Sequence, residues 1–111
     1  MKKDETKFKE RVQRDLNKLN NVWFVKIQQV SIRGIPDFLM CVNGGFIALE
    51  LKRSEDAERH KLQEWTLQSI SHAGGMSFIS WPDNWEETFA VIQSLDEKVD
   101  RDRQEEWETS H

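Results

Sequence analysis

"GIPDFLMCVNGGFIALELKRS", residues 34–54, is the stretch that decides how this chain folds. Two apolar runs flank an Asn-Gly-Gly turn, and both suit strands of a hairpin, over 37–42 and 45–52. With Asn43-Gly44 as a two-residue type I′ turn, Val42 faces Gly45, Met40 faces Ile47, Phe38 faces Leu49 and Asp37 faces Glu50. Phe38, Met40, Val42, Ile47, Leu49 and Leu51 then form a core face. Asp37, Leu39, Cys41, Phe46, Ala48, Glu50 and Lys52 share the other face. With Gly44-Gly45 as the turn, the register shifts by two and Asp37 faces Lys52. In both registers three charged groups gather at one end of the most apolar hairpin in the chain.

That placement needs a reason, because charges leave water only when paired or when they hold a metal. Directly opposed residues have Cβ atoms about 4.5–5.5 Å apart, so Asp37 and Glu50 would repel unless a cation lay between them. Mg²⁺ or Mn²⁺, hard and oxygen-seeking, would relieve the repulsion. The plainer reading is a salt bridge from Lys52 to one of the carboxylates at a strand end.

Working outward, Phe8, Val12, Leu16 and Leu19 predict a helix over residues 2–19. Glu5 falls at about 60° on the helical wheel, inside a stripe spanning about 0–80°, whereas Glu10 points away. An inward carboxylate at a helix start either joins the charged cluster or makes a capping contact in the first turn. "VWFVKI" predicts a strand over 22–27, and Pro36 keeps the preceding loop from being helical. A helix starting at a Ser54 or Asp56 cap runs through Leu62, Trp65, Ile70 and Ala73 to the Gly74-Gly75 stop. In it, Trp65 reads as a core residue before it reads as a base-stacking platform. "MSFISW" predicts a fourth strand, and Asp83 can cap a last helix through Trp85, Phe89, Ile92 and Leu95.

The order α-β-β-β-α-β-α combines an antiparallel hairpin with a strand–helix–strand unit, which predicts an α/β fold with a mixed four-stranded sheet and helices on both faces. At 111 residues there is room for one domain, assigned to 1–95, with 96–111 as a polar, acidic and flexible tail dispensable for chemistry. No apolar run is long enough to span a membrane. The N-terminus lacks a secretory hydrophobic region, so an intracellular protein is expected. Cys41, the single cysteine, reads as a small core residue in a reducing compartment. His60, His72 and His111 have no ligand spacing and read as surface residues.

The net charge of −4 conceals an asymmetry. Residues 1–53 hold 11 Lys/Arg against 6 Asp/Glu (+5), residues 54–95 hold 2 against 7 (−5), and residues 96–111 hold 3 against 7 (−4). The half that carries the unusual hairpin is thus the half suited to an anionic partner.

Pro36-Asp37, a hairpin turn and then Glu50-Leu51-Lys52 resemble the PD-(D/E)XK nuclease superfamily. "GIPDF" followed by "ALELKR" and a helix carrying Gln63 is similar to its VRR-NUC and phage Holliday-junction-resolvase branch, although the Val-Arg-Arg triplet is absent. The resemblance spans roughly Glu5 to Trp81 and implies a restriction-endonuclease-like core hydrolysing DNA phosphodiesters with Mg²⁺ (Mn²⁺ as substitute), in the cytoplasm of a bacterial or phage-infected cell. Asp37, Glu50 and the Leu51 carbonyl are its implied metal ligands. Lys52 would orient water or stabilise charge on phosphorus, with Glu5 and Gln63 in an outer position or at a second metal. Lys2, Lys3, Lys7, Lys9, Arg11, Arg33 and Arg53 are candidates for DNA backbone phosphates. The branch implies a homodimer acting on branched DNA, with Trp81, Trp85 and Phe89 as interface or core. A non-cleaving nucleic-acid-binding or assembly module, and a restriction or nicking nuclease on plain duplex, are the competing function classes.

Overall fold

The structure, a computed structural model, describes the backbone of residues 4–28 and 34–110, and side chains for 4–28, 34–97, 108 and 109. Its elements are α1 (Asp4–Leu16), β1 (Val22–Lys26), β2 (Phe38–Val42), β3 (Gly45–Leu51), α2 (Lys61–His72), β4 (Met76–Ser80) and α3 (Trp85–Ser110). The fold is α/β, with one mixed sheet in the order β1-β2-β3-β4 flanked by helices.

The hairpin takes the Asn43-Gly44 register: Val42 pairs with Gly45, Met40 with Ile47 and Phe38 with Leu49. Asn43 and Gly44 have φ of 56° and 89°, as a type I′ turn requires at both central positions. Asn43 tolerates this conformation and its amide also donates to the carbonyls of Leu95 and Asp96, tying the turn to α3. β1 adds antiparallel to β2, and β4 adds parallel to β3 by way of α2.

Phe8, Val12 and Leu16 of α1 meet the hairpin's core face, Phe38, Met40, Val42, Ile47, Leu49 and Leu51, together with Trp85 and Ile92 of α3. α1 and α3 therefore cover one face of the sheet. Burying such side chains stabilises by about 1.5–3 kcal/mol each before the entropy of ordering them is counted. Trp85 is fully buried and donates its indole N–H to Asp15 Oδ2 at 2.8 Å. Trp85 therefore serves the interior, Phe89 is partly buried against the same core, and Trp81 is half-buried. Among the described residues, no helix is long and apolar enough to cross a membrane.

Several expectations are corrected. α1 is described from Asp4 and ends at Leu16, with a turn before β1. α2 starts at Lys61 and not at Ser54 or Asp56; the Ser54 hydroxyl instead donates to Asp56 Oδ1 within the loop before it. Leu67 is the buried residue of α2, while Trp65 is 66% exposed and Leu62 also faces solvent. Trp65 is thus not core: the helix turns its Gln63–Leu67–Ile70 side to the sheet. Cys41 is exposed, because it lies on the part of the outer sheet face that α2 leaves open.

α3 starts at Trp85, so Asn84 and not Asp83 stands at its head, its Oδ1 accepting from the Ser80 hydroxyl and the Trp81 N–H. The helix then continues to Ser110, through the stretch read as a flexible tail. Asp96, placed in that tail, is buried and accepts hydrogen bonds from the Asn20 and Asn21 amides. A helix needs only its own backbone partners, and the Glu, Lys, Arg and Gln of this stretch are good helix formers.

Candidate functional site

The charged end of the hairpin lines a pocket of about 310 Å³ between the first turns of α1 and the loop leading to α2. Asp37, Glu50, Leu51 and Lys52 come from the hairpin, Glu5 and Lys9 from α1, and Arg53 and Glu58 from the loop.

Asp37 is held from both sides. Its main-chain carbonyl accepts from the Ile27 N–H at 2.8 Å, and its Oδ2 accepts from the Leu51 N–H at 2.8 Å. Its Oδ1 is 3.4 Å from Lys9 Nζ. Lys52 is fixed through its own N–H, which donates to the Ser80 carbonyl at 2.8 Å, and through Nζ, which donates to Gln63 Oε1 at 2.9 Å. Gln63 reaches it because α2 begins hard against the loop before Asp37. At Gly34, φ is +83° and an added Cβ would lie 2.9 Å from the Leu62 carbonyl oxygen, so glycine permits the close approach.

Glu50 is 3% exposed. Burial, with the neighbouring Asp37 carboxylate, pushes its pKa up to about 9, against a smaller opposing pull from Lys52. Burial also pushes Asp37 up, but hydrogen bonds from Glu50 and Leu51 and the charge of Lys9 outweigh it and leave Asp37 below the usual carboxylate range. The pair therefore shares one proton at neutral pH, held between two carboxyl groups that cannot both ionise cheaply. Glu50 Oε2 remains buried with no hydrogen-bond partner among the described residues. An orphaned buried carboxyl oxygen is costly and calls for an explanation, an ion that displaces the shared proton being one.

The candidate set is thus largely gathered. Asp37, Glu50 and Lys52 converge, Gln63 holds Lys52, and Glu5 lines the pocket, although it is exposed and not buried in the apolar stripe of α1. At Leu51 the engaged group is the N–H. Among the described residues, no group of three or more His, Cys, Asp or Glu side chains is gathered to hold a metal. The neighbouring carboxyl groups of Asp37 and Glu50, with Glu5 at the pocket wall, are the side-chain oxygens on offer.

The predicted phosphate contacts divide. Lys7 is exposed and Arg53 lines the pocket, whereas Lys9 is drawn onto Asp37 and Arg11 lies 3.8 Å from Glu86. Lys2, Lys3 and Arg33 lie outside the described residues, as does His111; His60 and His72 are exposed. The Lys9–Asp37 pair was missed from sequence, although Glu5, Phe8, Lys9 and Val12 carry the i, i+3, i+4 spacing that puts Lys9 beside Glu5 on the site's side of α1.

No protein-family model matches this chain, no curated protein matches it, and no solved structure matches it.

Proposed function

We propose that this chain is a divalent-metal-dependent endonuclease that hydrolyses DNA phosphodiester bonds. The observation that carries the reading is Glu50 Oε2, buried and unpartnered beside the proton-sharing Asp37, with a hydrogen-bonded lysine two residues along the strand. Asp37, Glu50 and the Leu51 carbonyl would hold Mg²⁺, and the all-oxygen donor set fits a hard cation. When bound, the ion would supply Lewis acidity at the phosphate and lower the pKa of water. Lys52, steadied by Gln63, would offer its ammonium to charge developing on the phosphate oxygens. Arg53 at the pocket suits a flanking backbone phosphate, a contact that gives affinity without sequence preference. Glu5, at the pocket wall, is suited to an outer position.

The similarity of "GIPDF…ALELKR" to junction resolvases favours branched DNA cut by a homodimer. The decisive assay incubates labelled duplex, single-stranded, flap and four-way-junction DNA with and without Mg²⁺ or Mn²⁺. Cleavage that requires the cation and disappears in Glu50→Gln is expected. Cation-independent binding with no cleavage of any substrate would instead indicate a non-cleaving DNA-binding module, and equal cutting of junction and duplex would remove the branch preference.

A further inference from the structure

Among the described residues, the outer face of the sheet is covered by α2 over one part only. α2 lies against β4, where Leu67 is buried and the Ser77 hydroxyl donates to the Leu67 carbonyl at 3.2 Å. Toward β1, outward side chains stand in solvent. Trp23 on β1 pairs with Cys41 on β2, and Cys41 with Phe46 on β3, so the three form one row across three strands. Trp23 is 67% exposed and Phe46 46%, Cys41 between them is exposed, and Val25 flanks the row.

Three observations point to what covers it. The first is charge: none of these side chains carries any. A nucleic acid needs Lys or Arg at its contact surface, whereas a neutral apolar patch is complementary to itself and brings no like charges together across a twofold axis. The second is position. β1 is an edge strand whose one charge, Lys26, alternates onto the inner face, so its outward positions, Trp23 and Val25, present an uncharged apolar surface. The third is size. At roughly 150–250 Å² for a whole aromatic side chain, Trp23 and Phe46 with Val25 and Cys41 leave on the order of 300–400 Å² of apolar surface per protomer. Doubled, that is on the order of 600–800 Å² of apolar centre, to which a polar rim of a few hundred Å² would have to be added for the ~1,000 Å² at which specific interfaces begin.

We propose that the Trp23–Cys41–Phe46 row, with Val25, is the surface on which a second copy of this chain docks. The contact stands on sheet geometry alone. Its use, holding two cleaving centres at a fixed separation, rests on the function proposed above.

The test follows the full chain by sedimentation across the micromolar range while measuring alkylation of Cys41, the only thiol in the sequence. A dimer is expected to form with concentration, and the Cys41 rate to fall in step with it. Trp23→Lys and Phe46→Lys, changes at side chains already in solvent, should each raise the dimer dissociation constant by at least about tenfold. Circular dichroism and melting in dilute solution should find both variants folded, and Trp23→Ser serves if the lysine disturbs the strand. A monomer throughout, a dimer whose Cys41 reacts at the monomer rate, or a dimer indifferent to these substitutions would overturn the proposal. These readouts are hydrodynamic and chemical, so a chain that dimerised without cutting DNA would sustain the interface and defeat only the nuclease reading.

Discussion

Lys52 and Gln63 meet end to end, Nζ donating to Oε1 at 2.9 Å between the last strand residues of the hairpin and the first turn of α2. The bond spends one of three ammonium donors and leaves two for a ligand. It also restricts a flexible side chain that would otherwise have to be ordered when a substrate binds.

Lys52→Ala is expected to lower kcat by at least about 10²-fold, the scale for removing a group that stabilises transition-state charge. Mn²⁺ binding by calorimetry should survive the change. Gln63→Ala removes only the support and should cost about tenfold. Full activity in Lys52→Ala would make the lysine structural.

The shared proton predicts how the metal-free protein responds to pH. Glu50 is raised from its ordinary 4.5 to about 9, so its contribution favours the fold most below pH 4.5 and is lost as pH rises toward 9. Asp37 is lowered and acts oppositely, its contribution present above its ordinary range and lost as pH falls through its depressed value. The melting temperature of the metal-free protein should therefore decline from about pH 5 to pH 9, and Glu50→Gln should flatten that decline. Mn²⁺ binding should tighten over the same interval and release close to one proton, as calorimetry in buffers of different ionisation enthalpy would reveal. Affinity independent of pH would exclude Glu50 as a ligand.

Lys9 places a positive charge 3.4 Å from Asp37 Oδ1, where it competes with a cation for the carboxylate. Lys9→Ala should tighten divalent-ion binding by up to about tenfold, the scale of a single partly exposed charge pair. The same change should weaken DNA binding at low salt. Looser metal binding in this variant would show that Lys9 organises the site.

Asp96 and Asn43 join α3 to the hairpin turn and the α1–β1 connection. Asp96→Ala strands the Asn20 and Asn21 amides and should destabilise by about 1–3 kcal/mol in urea unfolding. Asn43→Gly keeps the positive φ the turn needs but loses both bonds to α3, and should cost about 1–2 kcal/mol. Truncation after Leu95 removes Asp96 itself, so it should destabilise the fold by at least as much.

Much of this architecture was legible in residue types, because the signals that specify it are local. Asn43-Gly44 favours a type I′ turn by its own backbone preferences, and the hairpin takes that register over the Gly44-Gly45 alternative. Alternation then assigns Phe38, Met40 and Leu49 to the core face and Glu50 to the other with no knowledge of the rest of the chain. The start of α2 was misjudged because Ser54 and Asp56 are good capping residues that find each other in the loop instead. Helix propensity does not register that competing contact.

The tertiary structure decided what depends on neighbours distant in sequence. Whether Trp65, Cys41 and Phe46 are covered depends on where α2 lies across the sheet, and Trp85 is buried because α1 and the hairpin converge on it. The 96–110 stretch lacks an apolar face that would announce a packed helix, yet Asp96 is buried by accepting amides about 75 residues upstream. The pairing of Lys9 with Asp37 and of Lys52 with Gln63 likewise exists only once α1 and α2 are placed beside the hairpin's end. The sequence by itself determined the hairpin, two allowed registers and, in either of them, the clustering of Asp37, Glu50 and Lys52, since these follow from backbone preference and a side-chain period of two. Only the folded chain decided their protonation and their partners, because desolvation and charge pairing arise from atoms that the chain's order does not bring together.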